Sequence, residues 1–456
     1  MYTRAVCGGF GGHRHRKIAG ACALLLLATR ATSAQSSSAT TSTTRWTLES
    51  VLRAALDRHP LILAADARVR AARGGRIAAG AFGNPTVTYQ VENAGFPGRE
   101  GPPGSAREAS TFATLPLEPL WQRRPRMRRA DEDLRIAEAE AAQARRAVAL
   151  DAARAFHRTA LAQATVDAAS DVETGLDSLI RYTRARVKEG STAEGDAIRL
   201  EVERDRQGTE RALSEAELAQ ARGALLPYLG PDSTRGDPDP RLAAVTVNAD
   251  SARSFMALPS AAQLTHQALT LRPDVAIARA RARGAGFDVS LQRTLFIRQV
   301  GALFGTKNVS GANTMIAGLS LPIPLFDQNR GERQRAEGER TAVERELAWT
   351  ERRALAEVEG AYEAARVLSQ QVQRLRNGFL ARAEESRRIA VVAYREGAVP
   401  LLQVIDATRA LADARVTYLR ATFAQQDALL SLYGAAGLDP VAALTPTSAP
   451  TGEKTP

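Results

Sequence analysis

The sequence predicts a mainly α fold with a small β part, laid out as two copies of one plan. Charge-rich helical patterns run almost unbroken through 122–189 and 328–396, several times the usual helix length of about 11 residues. Four landmarks also recur in the same order in each half. "LRAALDRHPLILAADARVRAARG" (52–74) parallels "THQALTLRPDVAIARARARGAG" (265–286), with Pro60 against Pro273. Two strand-to-helix joins follow, Pro119 against Pro324, then two glycine turns, Gly190 against Gly397, then "ALLPYLG" (224–230) against "ALLSLYG" (428–434). The offsets are 213, 205, 207 and 204 residues. Alanine-rich helices resemble one another by chance, but chance does not keep four different landmarks in order.

Each copy reads helix, two strands, long helix, turn, helix. Repeat 1 covers 46–230, with a first helix over 47–80, strands near 84–93 and 107–119, the long helix 122–189 and a second helix 191–229. "NPTVTYQVEN" (84–93) alternates, placing Val87, Tyr89 and Val91 on one face and Thr86, Thr88, Gln90 and Glu92 on the other, the period of a strand with one apolar side. The Gly/Pro stretch "AGFPGREGPPGSA" (94–106) is its loop. Pro125 is placed in the first turn of the long helix, where proline is tolerated. Repeat 2 covers 260–437, with a helix over 260–295, strands near 298–307 and 311–326, the long helix 328–396 and a helix over 398–436. Met315, Ala317, Leu319 and Leu321 share a strand face, while Gly301 and Gly305 blur the pattern before them. Val358, Ala365, Val372 and Phe379 recur every seven residues, a coiled-coil rhythm. The shorter helices of each copy, end to end, match the length of its long helix. One end of the molecule is therefore sheet and the other helical tips.

The first residues assign the compartment. "HRHRK" (13–17) precedes the apolar "IAGACALLLLA" (18–28), with small residues ending at Ala34. This is a signal peptide over 1–34, because the apolar core is about half the roughly 20 residues a membrane span needs. Cys22 lies before the leucine run, the wrong side for a lipid-attachment cysteine, so cleavage without lipidation is expected. Residues 35–45 read as a flexible segment, 231–259 as the linker between copies and 438–456 as a disordered tail. Losing the leader removes both cysteines and lowers Lys plus Arg from 61 to 56 against 50 acids, a net charge of +6. Arginines spread among acids on an exported chain mark solvated faces, not a nucleic-acid surface. No later stretch offers 18 consecutive apolar residues.

Four strands with an apolar face cannot close a barrel, and a strand-built membrane span must be closed. Three chains pooling their strands would supply twelve, within the range of outer-membrane barrels. The prolines at 119 and 324 lie where the ladder must end.

This arrangement resembles the outer-membrane efflux protein family (TolC-like) over about 46–437. The resemblance rests on "TLESVLRAALDRHPLI" (47–62), "KEGSTAEGD" (188–196), "PIPLFDQNRGERQRAE" (322–337) and "YREGAVPLLQVIDATRALADAR" (394–415). The join at 322–337 is most similar to the branch serving heavy-metal resistance pumps. Membership implies a homotrimer with a 12-stranded transmembrane β-barrel and an α-helical barrel across the periplasm. It also implies docking onto a periplasmic adaptor and an inner-membrane pump of the resistance-nodulation-division (RND) type. The conduit is passive and needs no cofactor. Two departures stand out: Pro125 and five arginines crowd the first join, and the first turn carries an extra Gly195 in place of apolar residues.

Asp196 and Asp406, just beyond the two turns, are candidate gate acids, since each would appear three times around a narrow end. An acid near a helix start is also favoured for local reasons. Glu189, Gly190 and Ser191, with Glu396, Gly397, Ala398 and Val399, are candidate adaptor-docking tips, although a tight turn wants glycine on its own account. Pro119, Trp121, Arg123, Arg124, Pro324 and Phe326 mark the membrane-interface joins, and the arginines at 123–129 suit either lipid headgroups or a tunnel lining. His59, His157 and His266 are scattered in sequence and form no metal-ligand pattern. No convergent catalytic set is visible, so an enzyme is not expected. A type I protein-secretion channel would share this architecture. A periplasmic coiled-coil adaptor would need a β module around its hairpin.

Overall fold

A computed structural model describes residues 46–94, 107–229 and 259–439. Expectations for the signal peptide, for 35–45, for most of the inter-repeat linker and the tail, and for most of the 94–106 loop lie outside the described residues.

The opening helix of each repeat is two helices, not one. Helix α1 (Leu48–Arg58) is started by a reciprocal Thr47–Ser50 cap, and α2 spans Pro60–Gly80. In repeat 2, α5 (Ala261–Leu271) is capped by Ser260 with Gln263, and α6 spans Pro273–Thr294. The expected continuous helices over 47–80 and 260–295 break at His59 (ψ 129°) and Arg272 (ψ 126°). Each residue precedes a proline, whose ring drives its predecessor out of the helical region.

The strands are β1 (Thr86–Glu92), β2 (Glu108–Pro116), β3 (Gly301–Val309) and β4 (Ala312–Ser320). They form one antiparallel sheet in the order β1-β2-β3-β4. Its centre is therefore a pairing between repeats, with Phe112 opposite Gly305 and Ser110 opposite Lys307. A two-residue hairpin joins β3 to β4, Ser310 and Gly311 both having positive φ, the turn whose twist suits paired strands. Val87, Tyr89, Phe304, Met315 and Leu319 stand exposed on one face. Gln90, Ser110, Lys307 and Thr314 form one rung of the other. Lys307 pairs there with Glu108.

Three strand bounds differ from expectation: β3 spans Gly301–Val309 instead of 298–307. Strand β2 stops at Pro116 and β4 at Ser320, not at 119 and 326, because Pro116, Pro322 and Pro324 have no N–H for a ladder. Gly305 does not weaken β3: a Cβ there would strike the Thr111 carbonyl, so the glycine permits close approach to β2.

Helix α3 runs Pro119–Lys188, starting earlier than expected. Its 70 residues reach about 100 Å. Pro125 consequently falls in the second turn, where it withholds a hydrogen bond from the carbonyl of Trp121. Helix α4 spans Glu194–Leu229. The second long helix is interrupted: α7 (Arg330–Arg374) passes through a π-helical turn (Leu375–Leu380) into α8 (Ala381–Arg395), and α9 spans Leu401–Ala436. Val358, Ala365 and Val372 are buried as the seven-residue rhythm requires, but Phe379 is 46% exposed. It lies inside the π turn, whose wider winding rotates it off the seam.

The helices form a layer. Helix α3 packs against α2 and α4 on one flank and against α6 and α9 on the other, and α7 lies beyond α6 and α9. Small residues let the axes approach. Ala149, Ala152 and Ala153 of α3 meet Val51, Leu52, Leu225 and Leu430 in the largest buried cluster. No helix among the described residues is long and apolar enough to cross a membrane.

Candidate functional sites at the tips and the joins

Both tips close by the same device. Gly190 (φ 71°) and Gly397 (φ 77°) occupy the left-handed conformation. The N–H of Gly190 donates to the Val187 carbonyl and that of Ser191 to Arg186; Gly397 and Ala398 repeat this with Tyr394 and Ala393. These are paired helix-end bonds that need a residue without a Cβ penalty at the turn. No atom within 4 Å would obstruct a Cβ at either position. Backbone conformation, not space, demands glycine. Glu189, Gly190, Ser191, Glu396, Gly397 and Ala398 are exposed, while Val399 packs partly against the tip core.

The two tips are tied together by tyrosines that sequence reasoning missed. Tyr182 donates to the Arg395 carbonyl at 3.2 Å, and the hydroxyls of Tyr394 and Thr183 lie 3.3 Å apart. Arg186 and Arg395 both cover the Tyr182 ring. Val172, Leu176, Leu179, Leu200, Leu401 and Val404 fill the space behind.

The two gate candidates are not equivalent. Asp196 sits in the first turn of α4, 3.5 Å from Arg199. Asp406 is exposed on α9 and lines a groove of about 710 Å³ with Arg382, Glu385, Ile389 and Gln403. Matching the buried Ala197 to the buried Val404 makes Gln403 the counterpart of Asp196 and Arg199 the counterpart of Asp406. The acids are thus three residues, about 4.5 Å, apart along the axis, and would form two levels instead of one ring. Replacing Asp406 with alanine is expected to raise single-channel conductance or weaken cation block in planar bilayers. Unchanged traces would remove it from the gate.

Below the tips, buried carboxylates bolt the helices together. Glu203 of α4 is 2% exposed and accepts from Arg206 (2.7 Å), Gln207 (3.3 Å) and Arg409 of α9 (3.0 Å). Burial opposes its charge, but these donors more than offset it, so its carboxyl falls from 4.5 to about 2. Stability from this site is therefore complete above about pH 4.5 and is lost as pH falls toward 2. In acid titrations of thermal stability, Glu203→Gln is expected to start less stable at pH 7 and to lose less between pH 5 and 3. Parallel curves would refute the assignment.

The arginines of the first join serve chiefly as internal latches. Arg123 donates to the Gly80 carbonyl (2.7 Å), and Arg126 to those of Ala79 (2.7 Å) and Ala81 (2.8 Å). Cations at a helix C-terminus also suit its dipole. Arg129 pairs with Asp288 (2.9 Å), and Arg128 covers the Phe287 ring. Arg124 is exposed. Pro119 is buried, Trp121 half-buried and Phe326 99% exposed; Pro324 lies in the irregular run before α7. In the second join the latch is Asn329, unmarked by sequence reasoning. It is buried in the left-handed conformation, donates to the Gln292 carbonyl at 2.7 Å and accepts from Arg298 at 2.6 Å.

Of the histidines, His59 stacks on Tyr228. His157 lies between Phe156 and Phe423, where burial lowers it to about 4. Among the described residues no three metal-ligating side chains gather.

A four-stranded sheet open at both edges, standing on a layer of very long helices, defines an outer-membrane channel subunit. The chain belongs to the outer membrane efflux protein family, whose model matches residues 51–231 and 264–438. It is 26% identical to the cobalt-zinc-cadmium resistance protein CzcC of Cupriavidus metallidurans, over 82% of this chain and 85% of that one. It is 28% identical to the cation efflux system protein CusC of Escherichia coli over half of each chain. The CusC structure matches with a TM-score of 0.71 at 22% identity, covering 86% of this chain and 92% of that one. VceC of Vibrio cholerae matches with a TM-score of 0.69 at 19% identity, covering 86% and 96%. The protein is an outer-membrane efflux channel.

Proposed function

We propose that three copies form a passive conduit that carries heavy-metal cations out of the periplasm as the outer-membrane part of a tripartite pump. The sheet carries this reading: among the described residues β1 and β4 each leave one edge unpaired, and in lipid an open edge is untenable. Joining β4 of each copy to β1 of the next closes twelve strands. The exposed Val87, Tyr89, Phe304 and Met315 then face the membrane, and the rung of Gln90, Ser110, Lys307 and Thr314 faces the lumen. The cargo class follows the relatives named for cobalt, zinc, cadmium and cation efflux. Energy comes from an inner-membrane pump of the RND type, reached through a periplasmic adaptor.

A deletion strain is expected to become sensitive to zinc, cobalt or cadmium and to regain resistance with the wild-type gene. Sensitivity confined to dyes and detergents would move the cargo away from metals. At the tips, Ala398→Trp is expected to leave trimers intact but lower resistance at least tenfold by blocking adaptor contact. Normal resistance would assign the exposed tip a structural role alone.

A further inference from the structure

We infer that the π turn at Leu375–Leu380 is a hinge made by one inserted residue, on which α8 bends against α7 while α3 stays straight; its part in transport rests on the conduit reading above. Two registers locate the insertion. Above the turn, α3 and α7 align at an offset of 206: the buried Val148, Ala152 and Thr159 fall on the buried Ala354, Val358 and Ala365. At the same offset Arg145, paired with Asp66 (3.2 Å), falls on Glu351, paired with Arg279 (2.8 Å). Below the turn the offset is 207. Leu176 falls on Ala383, both buried. The bonds of Gly190 to Val187 and Ser191 to Arg186 fall on those of Gly397 to Tyr394 and Ala398 to Ala393.

From Thr159 to Gly190 the chain advances 31 residues, but from Ala365 to Gly397 it advances 32. The π turn is the single departure from α geometry between Ala365 and Arg395, and α3 runs unbroken through the matched stretch. A π turn winds more residues into one turn, so it takes up the extra residue. The buried faces above and below it therefore keep their phase.

The same turn is where the second long helix is held least. None of its six residues is buried, and one is Gly378, a poor helix former. The Gly378 carbonyl accepts from Arg382 of its own helix, at 3.0 Å. Beyond the turn, α8 buries Ala383 and Tyr394 alone, whereas the matched part of α3 buries Leu176, Leu179, Ile180 and Thr183. Sparse burial marks the segments that open most readily. Arg387 of α8 adds to this. It lies half-buried against α3, where a Cβ on Gly175 would sit 2.5 Å from its Nη2. Its enclosed Nε has no hydrogen-bond partner among the described residues. Burial, and after it the like charge of Arg415 on α9, lowers its pKa. So α8 is pinned at its far end by the tyrosine contacts and joined to α7 through a soft turn, the kind of place where helices kink.

Hydrogen exchange on the full chain in detergent gives the test. Amides of residues 379–382 are expected to exchange at least tenfold faster than those of 172–175, their counterparts in α3. Deleting Gly378 equalises the two long helices and is expected to slow those amides at least tenfold without lowering the melting temperature. Gly378→Ala, which keeps the residue count, is expected to slow them less. In planar bilayers the deletion is expected to reduce the frequency of channel openings at least fivefold. Equal exchange in the two helices, or a deletion that unfolds the protein or leaves exchange unchanged, would overturn the hinge. Slowed exchange with wild-type openings would overturn its part in transport. A wild-type protein that forms no channel would overturn the conduit reading, and the exchange comparison would still decide the hinge.

Discussion

Arg272→Ala is expected to destabilise the helical layer by about 3–5 kcal/mol, the cost of stripping one partner from a buried ion-pair network. The side chain is 9% exposed at the break between α5 and α6. It donates to Asp274 at 2.7 and 3.0 Å, to Glu357 of α7 at 2.7 Å and to the Ala435 carbonyl of α9 at 3.1 Å. Removing it leaves Asp274 and the end of α9 facing a gap. The end of α9 is pressed against the same spot: Gly437 has φ 72°, and a Cβ on it would lie 2.9 Å from the Arg272 nitrogen. His59 holds the equivalent position in repeat 1, where it stacks on a half-exposed tyrosine and accepts one long bond from the Leu61 N–H, at 3.4 Å, so His59→Ala should cost far less. Thermal unfolding by circular dichroism checks the contrast. Equal shifts for the two variants would show that the network adds nothing.

Gly305→Val is expected to prevent assembly of the proposed trimeric barrel. A Cβ at this position would lie 2.5 Å from the Phe112 Cα and closer still to the Thr111 carbonyl. These are backbone atoms of β2, so no rotamer relieves the clash. The strands must separate at the pairing that joins the two repeats, and each broken rung leaves polar groups unpaired where lipid offers no substitute. Periplasmic accumulation followed by degradation is the expected readout, with heat-modifiable trimers absent from outer-membrane fractions. Gly223→Val on the exposed face of α4 is a control for the loss of a glycine, since nothing within 4 Å meets a Cβ there. Wild-type amounts of heat-stable Gly305→Val trimer would contradict close contact between β2 and β3 as the reason for that glycine.

Sequence by itself determined what is written in local chemistry and in repetition. Four landmarks in one order revealed the duplication. Alternation at 86–92 revealed a strand, and Gly190 and Gly397 revealed turns, because period and backbone preference act over a few residues. The expected helices over 47–80 and 260–295 ran through His59 and Arg272 and missed both breaks, although the cause is equally local: the rings of Pro60 and Pro273 act sterically on the residue before them. Tertiary structure alone decided the rest. Glu203 meets Arg409 across 206 residues, and Arg123 and Asn329 hold the ends of helices begun some 40 residues or more earlier. The exposure of Phe379 needed the π turn to be seen. Spacing can say which residues share a face, but burial and pairing depend on what the fold brings opposite that face.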